Sequence, residues 1–356
     1  MEEKRNKNAQ QKGWKAMSNE VVKKPRGPKA FFKKVYRYRQ FLIMLAPAVI
    51  YTLIFAYYPM TGIVLAFKKY TYAGGIWGSA WNGFKNFDFF FKSGQALLVT
   101  KNTVLYNLVF IAVNTIMQIA VAIFLTEIHN KHYRKITQSL MFLPYFISWV
   151  IVGVMAFNIF SSDYGFMNRM ITSVGGKKIS FYTKPEYWPF ILVFFNVWKN
   201  IGYGSVMYLA AIMGIDTSVY EAAAIDGANV WQRIRKITIP MIMPTTIILL
   251  LLSVGGIFKG NFDLFYNLVG NNGLLYNKTD VIDTLTFRAL ISSQDFGMSA
   301  AIGLYQSVLC FITIVLVNWL VTCTHFATGL TSDPCLISIV TSLVVILNLS
   351  SLGLSP

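Results

Sequence analysis

Acidic side chains are scarce in this chain: 15 Asp and Glu stand against 32 Lys and Arg in 356 residues, and charged residues make up only 13%. Cysteine and histidine are scarcer still, at three each. Each shortage removes a class of function. Cys310, Cys323 and Cys335 lie in or just beyond the last apolar segments, with neither a disulfide framework nor metal-ligand spacing, and read as small apolar packing residues. His129, His132 and His325 show no paired metal spacing, no G-x-S-x-G elbow occurs, and the acids fall mostly in loops as solvated charge. A membrane-embedded enzyme such as a glycosyltransferase would carry acidic clusters at the membrane face, and these are missing. No G-x-x-x-x-G-K-[ST] stretch occurs, so the chain lacks a phosphate cradle of its own. We therefore expect no catalytic residue, no metal site and no cofactor bound by this chain.

What is abundant is apolar surface, with 55% hydrophobic and 15% aromatic residues. Six runs are long enough to cross about 30 Å of hydrocarbon as helices: about 40 to 60, 102 to 126, 137 to 160, 187 to 212, 241 to 262 and 299 to 323. Because the runs are continuously apolar, helices are favoured over a barrel. The expected fold is all-α and polytopic, with six transmembrane helices. The net charge of +17 follows the membrane topology rather than a groove-binding surface. Residues 1 to 39 hold thirteen Lys and Arg against three Glu. With that tail inside, the loops 128 to 136 and 213 to 239 add Lys131, Arg134, Lys135, Arg233, Arg235 and Lys236, so inner segments hold 19 of the 32 bases. This is the positive-inside pattern, with a cytoplasmic N-terminus in a multi-pass membrane protein and no nucleic-acid partner. The "APA" at 46 to 48 resembles a signal cleavage site, but the apolar run continues through it, so a retained first helix is expected.

The chain divides into a basic cytoplasmic tail (1 to 39), a first helix and outer loop (40 to 95), a transmembrane core (96 to 325) and an atypical tail (326 to 356). Near "FFKKVYRYRQF" rings and bases interleave, as they do where headgroups meet a protein surface, so membrane lipid is an expected partner. The aromatic segment 68 to 93 is expected outside, as an interfacial belt more than as a ligand contact. Residues 324 to 356 contain no Lys or Arg, and are expected to be either a hydrophobic appendage, long enough for a seventh span, or the product of an altered reading frame.

One polar segment interrupts the apolar runs: "YEAAAIDGANVWQRIRKITIP", residues 220 to 240. Ser218 is placed to cap a helix with Glu221 in a capping box, and Ala222, Ala223 and Ala224 propagate it. Gly227 suits a left-handed stop, Asn229 caps a second short helix, and Pro240 opens the next span. Caps explain a loop. They do not explain why small alanines and an apolar stripe face water, which calls for a docking partner.

The spacing Glu221-Ala222-Ala223, three residues, Gly227, nine residues, Ile237-x-Ile239-Pro240 resembles the EAA signature of permease subunits in binding-protein-dependent ABC importers, with Ile239 where Leu is usual. The resemblance extends over roughly 38 to 323. "YYPMTGIVLAFKKY", "IWGSAWNGFKNF" and "FLPYFISWVIVG" are similar to the sugar-importer branch related to the maltose permease, and within it to the subgroup handling oligosaccharides such as uronides or rhamnogalacturonan fragments. This resemblance implies a type I importer in the bacterial cytoplasmic membrane. Its parts would be a second permease subunit, expected to be a different chain, two cytoplasmic ATPase subunits that carry the ATP and Mg, and an extracellular solute-binding protein. Glu221, Ala222, Ala223, Gly227, Ile237 and Pro240, within a loop spanning 213 to 240, would form the contact through which the ATPases drive the pathway. A non-sugar solute is the alternative, since importers of vitamins, amino acids or phosphate share the same loop.

A sugar route needs hydroxyl partners and aromatic faces inside the bundle. The candidates are Asn114, Gln118, Tyr145, Ser148, Trp149, Asn196, Trp198, Lys199, Asn200, Tyr203, Asn261 and Asp263. Lys199 is the sharpest, because a base near the middle of a span costs about 3 kcal/mol unless it reaches water or a partner. It is expected to face a cavity, to pair with an acid such as Asp263, or to meet a uronide carboxylate. The bland alternative is a structural ion pair or a side chain that snorkels.

Overall fold

The computed structural model describes residues 38–328, with 320–328 as backbone only. The basic tail, the sequence after Thr328 and the side chains of Cys323, His325 and Cys335 lie outside the described residues. The described residues fall into two units, divided between Tyr58 and Pro59.

In the first unit, α1 (Arg39–Thr52) buries none of its side chains and continues as a π-turn, Leu53–Tyr57. It contains Pro47, whose missing N–H the exposed, apolar helix tolerates.

Among the described residues of the second unit the regular structure is helical apart from a two-strand ribbon, Lys68–Lys69 with Ala80–Trp81. After α2 (Lys85–Lys92) comes α3 (Gln95–Glu127), whose 33 residues make it about 50 Å long at 1.5 Å per residue. Next are α4 (Lys131–Phe146), α5 (Trp149–Phe160), α6 (Phe166–Ser173) and α7 (Trp188–Met213). The polar segment supplies α8 (Thr217–Ile225) and α9 (Val230–Arg233), followed by α10 (Ile239–Gly255), α11 (Phe262–Val269), α12 (Ile282–Ile291) and α13 (Phe296–Thr328).

α3 and α7 form the principal helix pair, and three apolar clusters are strung along them. Phe90, Val99, Ile282 and Ile302 join α2, α3, α12 and α13 at one end. Tyr106, Phe110, Trp188, Leu192 and Phe265 join α3, α7 and α11. Val121, Leu125, Tyr208, Ile212 and Ile242 join α3, α7 and α10 at the other end. Buried positions on α3 recur every three or four residues up to Phe110 and resume at Val121. The gap between them opens onto a cavity. Close approach is set by small residues, as helix packing in a bilayer requires: a side chain at Gly202 on α7 would strike the backbone of Met141 on α4.

Among the described residues four helices are long and apolar enough to cross a membrane: Arg39–Phe67, Gln95–Glu127, Val230–Gly255 and Phe296–Trp319. The fifth expected span, 241 to 262, is shifted: it begins at Val230 and ends at Gly255. The third, expected as one run over 137 to 160, is broken by 93° between α4 and α5. Pro144 removes a donor from the last turn of α4, Ile147 is extended, and the Ser148 hydroxyl caps α5 by accepting from the Val150 N–H at 3.3 Å. Counting that pair as one span gives five. α7 is long enough to be a sixth, but Asn196, Lys199 and Asn200 dilute its apolar run.

Candidate functional site

The helix-turn-helix of the polar segment is built from its caps outward. Asp216, not Ser218, is the N-cap of α8: its carboxylate accepts the Ser218 N–H at 2.9 Å. The capping box expected from Ser218 to Glu221 is therefore replaced by a simple N-cap two residues earlier, the Asp216 carboxylate being the better acceptor for a free N–H. Donation from Ser218 holds the Asp216 carboxyl below the usual carboxylate range. At the other end the Gly227 N–H donates to Ala224 O and the Ala228 N–H to Ala223 O, with Gly227 at φ +74°. This is the left-handed stop that the glycine predicts. Asn229 then caps α9 in a reciprocal box with Gln232, at 2.8 and 2.9 Å. α9 does not end before the next span. A π-turn, Ile234–Thr238, carries it into α10, and the widened turn accommodates the ring and missing N–H of Pro240.

The motif residues are thereby displayed. Glu221, Ala222 and Gly227 are exposed, Ala223 and Ile237 are half-buried, and Pro240 is exposed. Beside them Ile225 is 87% and Trp231 69% exposed. The segment is nevertheless fixed to the bundle. The Tyr220 hydroxyl meets the Thr238 hydroxyl at 2.9 Å, the Tyr220 ring packs on the Ile212 and Ile242 cluster, and Arg233 reaches Glu127 at the end of α3 at 3.8 Å. An apolar surface on a rigid stem suits transmission of force. Tyr220, Thr238 and Glu127 were not among the expected site residues, because their pairing is a property of the packed helices.

The second feature is a cavity of about 540 Å³ framed by α3, α7, α10 and the loop 256–261. Of the predicted pathway residues, Asn114, Gln118, Asn196, Asn200, Tyr203 and Asn261 line it. They form a polar strip: the Asn114 amide donates to Asn196 Oδ1 at 2.8 Å, the Asn200 amide donates to Asn196 O at 2.8 Å, and the Gln118 amide approaches Asn200 O at 3.4 Å. Among the described residues, the buried Asn114 Oδ1 accepts no hydrogen bond. Tyr203 stacks on Tyr145 with ring centres 4.2 Å apart and planes 6° apart. Asn261 also caps α11, accepting from the Leu264 N–H at 3.3 Å.

Lys199, Trp149 and Asp263 are not on that lining. Lys199 is only 6% exposed and donates to the carbonyls of Pro144 at 3.1 Å, Tyr145 at 2.9 Å and Ile147. An ammonium has three N–H bonds, and all three are used. The expectation of an ion pair with Asp263 or a cavity-facing charge gives way to a cationic cap on the broken end of α4. There the carbonyls of Tyr145 and Ile147 would otherwise be orphaned, while Pro144 O also accepts the Ile147 N–H at 3.2 Å. Trp149, the first residue of α5, completes this nest with its ring centre 5.2 Å from the ammonium. Asp263 is exposed on the first turn of α11.

Among the lining residues that escaped the sequence reading are Asn107 and Lys259. The signal for Lys259 was available, since a base inside the run 241 to 262 raises the question that Lys199 raised.

Residues 118–322 match the family model described as "Binding-protein-dependent transport system inner membrane component". The chain is 33% identical over 278 residues to Protein LplB of Bacillus subtilis (strain 168), covering 78% of this chain and 87% of that protein. It is 32% identical over 298 residues to the polygalacturonan/rhamnogalacturonan transport system permease protein YteP of the same organism, covering 84% and 92%. Among solved structures, a chain of a bacterial ABC transporter involved in the import of the acidic polysaccharide alginate matches with a TM-score of 0.75 at 32% identity, over 85% of this chain and 100% of that one. A chain of a bacterial alginate ABC transporter in complex with an alginate pentasaccharide-bound periplasmic protein matches with a TM-score of 0.72 at 33% identity, over 81% and 95%.

Proposed function

The chain belongs to the family of binding-protein-dependent transport system inner membrane components, and from that premise we propose that it imports oligosaccharides released from acidic polysaccharides. It is a multi-pass membrane permease of the sugar-importer kind, and transport rather than catalysis is its work. The observation that carries the reading is the displayed helix-turn-helix around Gly227, a docking surface on a stem tied to α3 and α10. Two cytoplasmic ATPases would bind there and supply the energy from ATP and Mg. A second permease subunit would close the open side of the cavity, and an extracellular solute-binding protein would deliver the sugar. Six spans, with α7 as the fourth and the α4/α5 pair as the third, would leave the N-terminus and the loop 213 to 240 on the same, cytoplasmic side. The names of the relatives support the acidic substrate class over the non-sugar alternative.

The test is co-purification of this chain with its neighbours from native membranes, followed by ATPase assay in nanodiscs with sugar-loaded binding protein. Stimulation by trigalacturonate is the expected result. Stimulation by maltotriose alone would refute the acidic class, and the absence of an ATPase from the purified complex would refute the importer reading.

A further inference from the structure

The loop closed by the Tyr220 and Thr238 hydroxyls, 2.9 Å apart, contains the whole docking surface, Glu221 to Ile237. Tyr220 lies on α8, and Thr238 is the last residue of the π-turn, immediately before α10. Thr238 is only 4% exposed, and the Tyr220 ring packs on the cluster that Tyr208 and Ile212 of α7 form with Ile242 of α10. One side-chain pair therefore ties the start of the docking segment to its end, over the feet of two helices that frame the cavity. On the cavity wall α7 places Asn196, Asn200 and Tyr203, and α10 places Leu249, Leu252 and Ser253.

Satisfying a buried hydroxyl is the bland account of this pair. The other buried threonines among the described residues show how little that account requires. Thr103, Thr246 and Thr279 each donate to the carbonyl four residues back, at 2.7, 3.0 and 2.9 Å. A helical threonine thus finds its partner on its own helix. Thr238 instead meets a tyrosine 18 residues earlier in the chain. What that contact adds is mechanical. Without it, α8 would be joined to α7 through Gly214 to Asp216 and to α9 through Gly227 to Asn229, and each link contains a glycine. Gly227 is at φ +74° with nothing within 4 Å of its missing side chain. A push on α8 would be absorbed by rotation about these links. Arg233 and Glu127, at 3.8 Å, hold α9 to α3 and leave α8 free to turn. The hydroxyl pair removes that freedom by fixing α8 directly to the foot of α10.

We propose that Tyr220 and Thr238 are the positioning pair that couples ATP hydrolysis to uptake: their hydroxyl bond makes α8 and α10 move as one body, so a displacement of the docking surface reaches the cavity wall. The proposal rests on the importer reading above and adds to it the side chains that carry the motion. The experiment uses the complete transporter in proteoliposomes, with both permease subunits, the ATPases and sugar-loaded binding protein, and reads ATP hydrolysed per trigalacturonate taken up. Tyr220→Phe keeps the ring and Thr238→Val keeps the side-chain shape, so each removes a hydroxyl and little else. Each single variant is expected to raise the ATP consumed per sugar about tenfold, the double variant no further, and Thr238→Ser to stay within about twofold of the wild type. An unchanged ratio in either single variant, whether or not both rates fall together, would make the pair merely structural and overturn the proposal. Effects that multiply in the double variant, or a Thr238→Ser variant that behaves like Thr238→Val, would overturn it as well, and all of these leave the importer reading intact. A wild-type preparation that contains no ATPase or takes up no trigalacturonate would overturn that reading, and the proposal with it.

Discussion

At the scale of single residues, two lysines near the membrane interior stand in different surroundings. Lys199 spends its three donors on the carbonyls of α4, while Lys259 stands on the cavity wall. Removing Lys199 should therefore harm the fold before it harms selectivity. Lys199→Met leaves the carbonyls of Tyr145 and Ile147 without a donor at a bend that Pro144 already weakens, which costs on the order of 3 kcal/mol. The expected outcome is a lower thermal-inactivation midpoint of the purified complex, with trigalacturonate uptake falling in proportion to the folded permease. Loss of trigalacturonate uptake alone, at unchanged stability, would put Lys199 back in the pathway. The sequence made it plain that Lys199 needs a partner, since its place in a run of phenylalanines and valines says so. It did not reveal which, because the acceptors lie more than fifty residues earlier and are exposed only by a break that hydropathy does not register. The polar strip of Asn196, Asn200 and Tyr203 was legible, because amides in an apolar run have to face one another or water.

At the scale of elements, the docking segment depends on two turns whose chemistry differs. Gly227 has positive φ and open space around its missing side chain, so Gly227→Ala pays only for backbone strain, about 1–2 kcal/mol. Gly227→Pro in addition abolishes the N–H that Ala224 O accepts and imposes a negative φ. Retention of the ATPase on affinity-purified permease should fall modestly for the first variant and disappear for the second, with both still inserted in the membrane. Normal retention in Gly227→Pro would sink the docking assignment. The N-terminal turn is controlled by Asp216. Its carboxyl titrates below the usual range, so its contribution to α8 is present in full above the unfolded pKa of about 4 and is lost as pH falls through the lower folded value. Hydrogen exchange of the first α8 amides should accordingly be flat from pH 8 to about pH 5 once corrected for intrinsic rate, accelerate in Asp216→Ala, and stay slow in Asp216→Asn. Fast exchange in Asp216→Asn would mean that charge, not hydrogen bonding, makes the cap. Gly227 and Asn229 were readable because each does locally what its residue type does best. The cap was misplaced by two positions because Asp216 and Ser218 both qualify as caps and only packing chooses between them.

At the scale of the whole molecule, the arrangement turns on parity, meaning how many times the chain crosses between one loop and the next. Hydropathy gave the strongly apolar spans α3, α10 and α13, but α7 is an intermediate case because three polar residues sit in its middle. Physical reasoning favours a crossing. At 26 residues α7 is about 39 Å long, it packs against α3 over much of its length, and Asn196 and Lys199 are buried and hydrogen-bonded inside the protein instead of facing lipid. If α7 crosses, Val174 before it and Ile225 after it emerge on opposite faces. Both are strongly exposed, at 85% and 87%, so each serves as a labelling site. In a permease with its native cysteines replaced, Val174→Cys should react with a membrane-impermeant maleimide in intact cells, while Ile225→Cys should react only in inverted vesicles. Reaction of both from outside would remove α7 from the count of spans and place the Gly227 surface out of reach of any cytoplasmic ATPase. Reaction of Ile225→Cys from outside and Val174→Cys from inside would keep the crossing and reverse the orientation inferred from the nineteen inner bases. The expected pattern fixes both, because only a crossing α7 with its C-terminal end inside delivers the Glu221 to Gly227 surface to the side where ATP is.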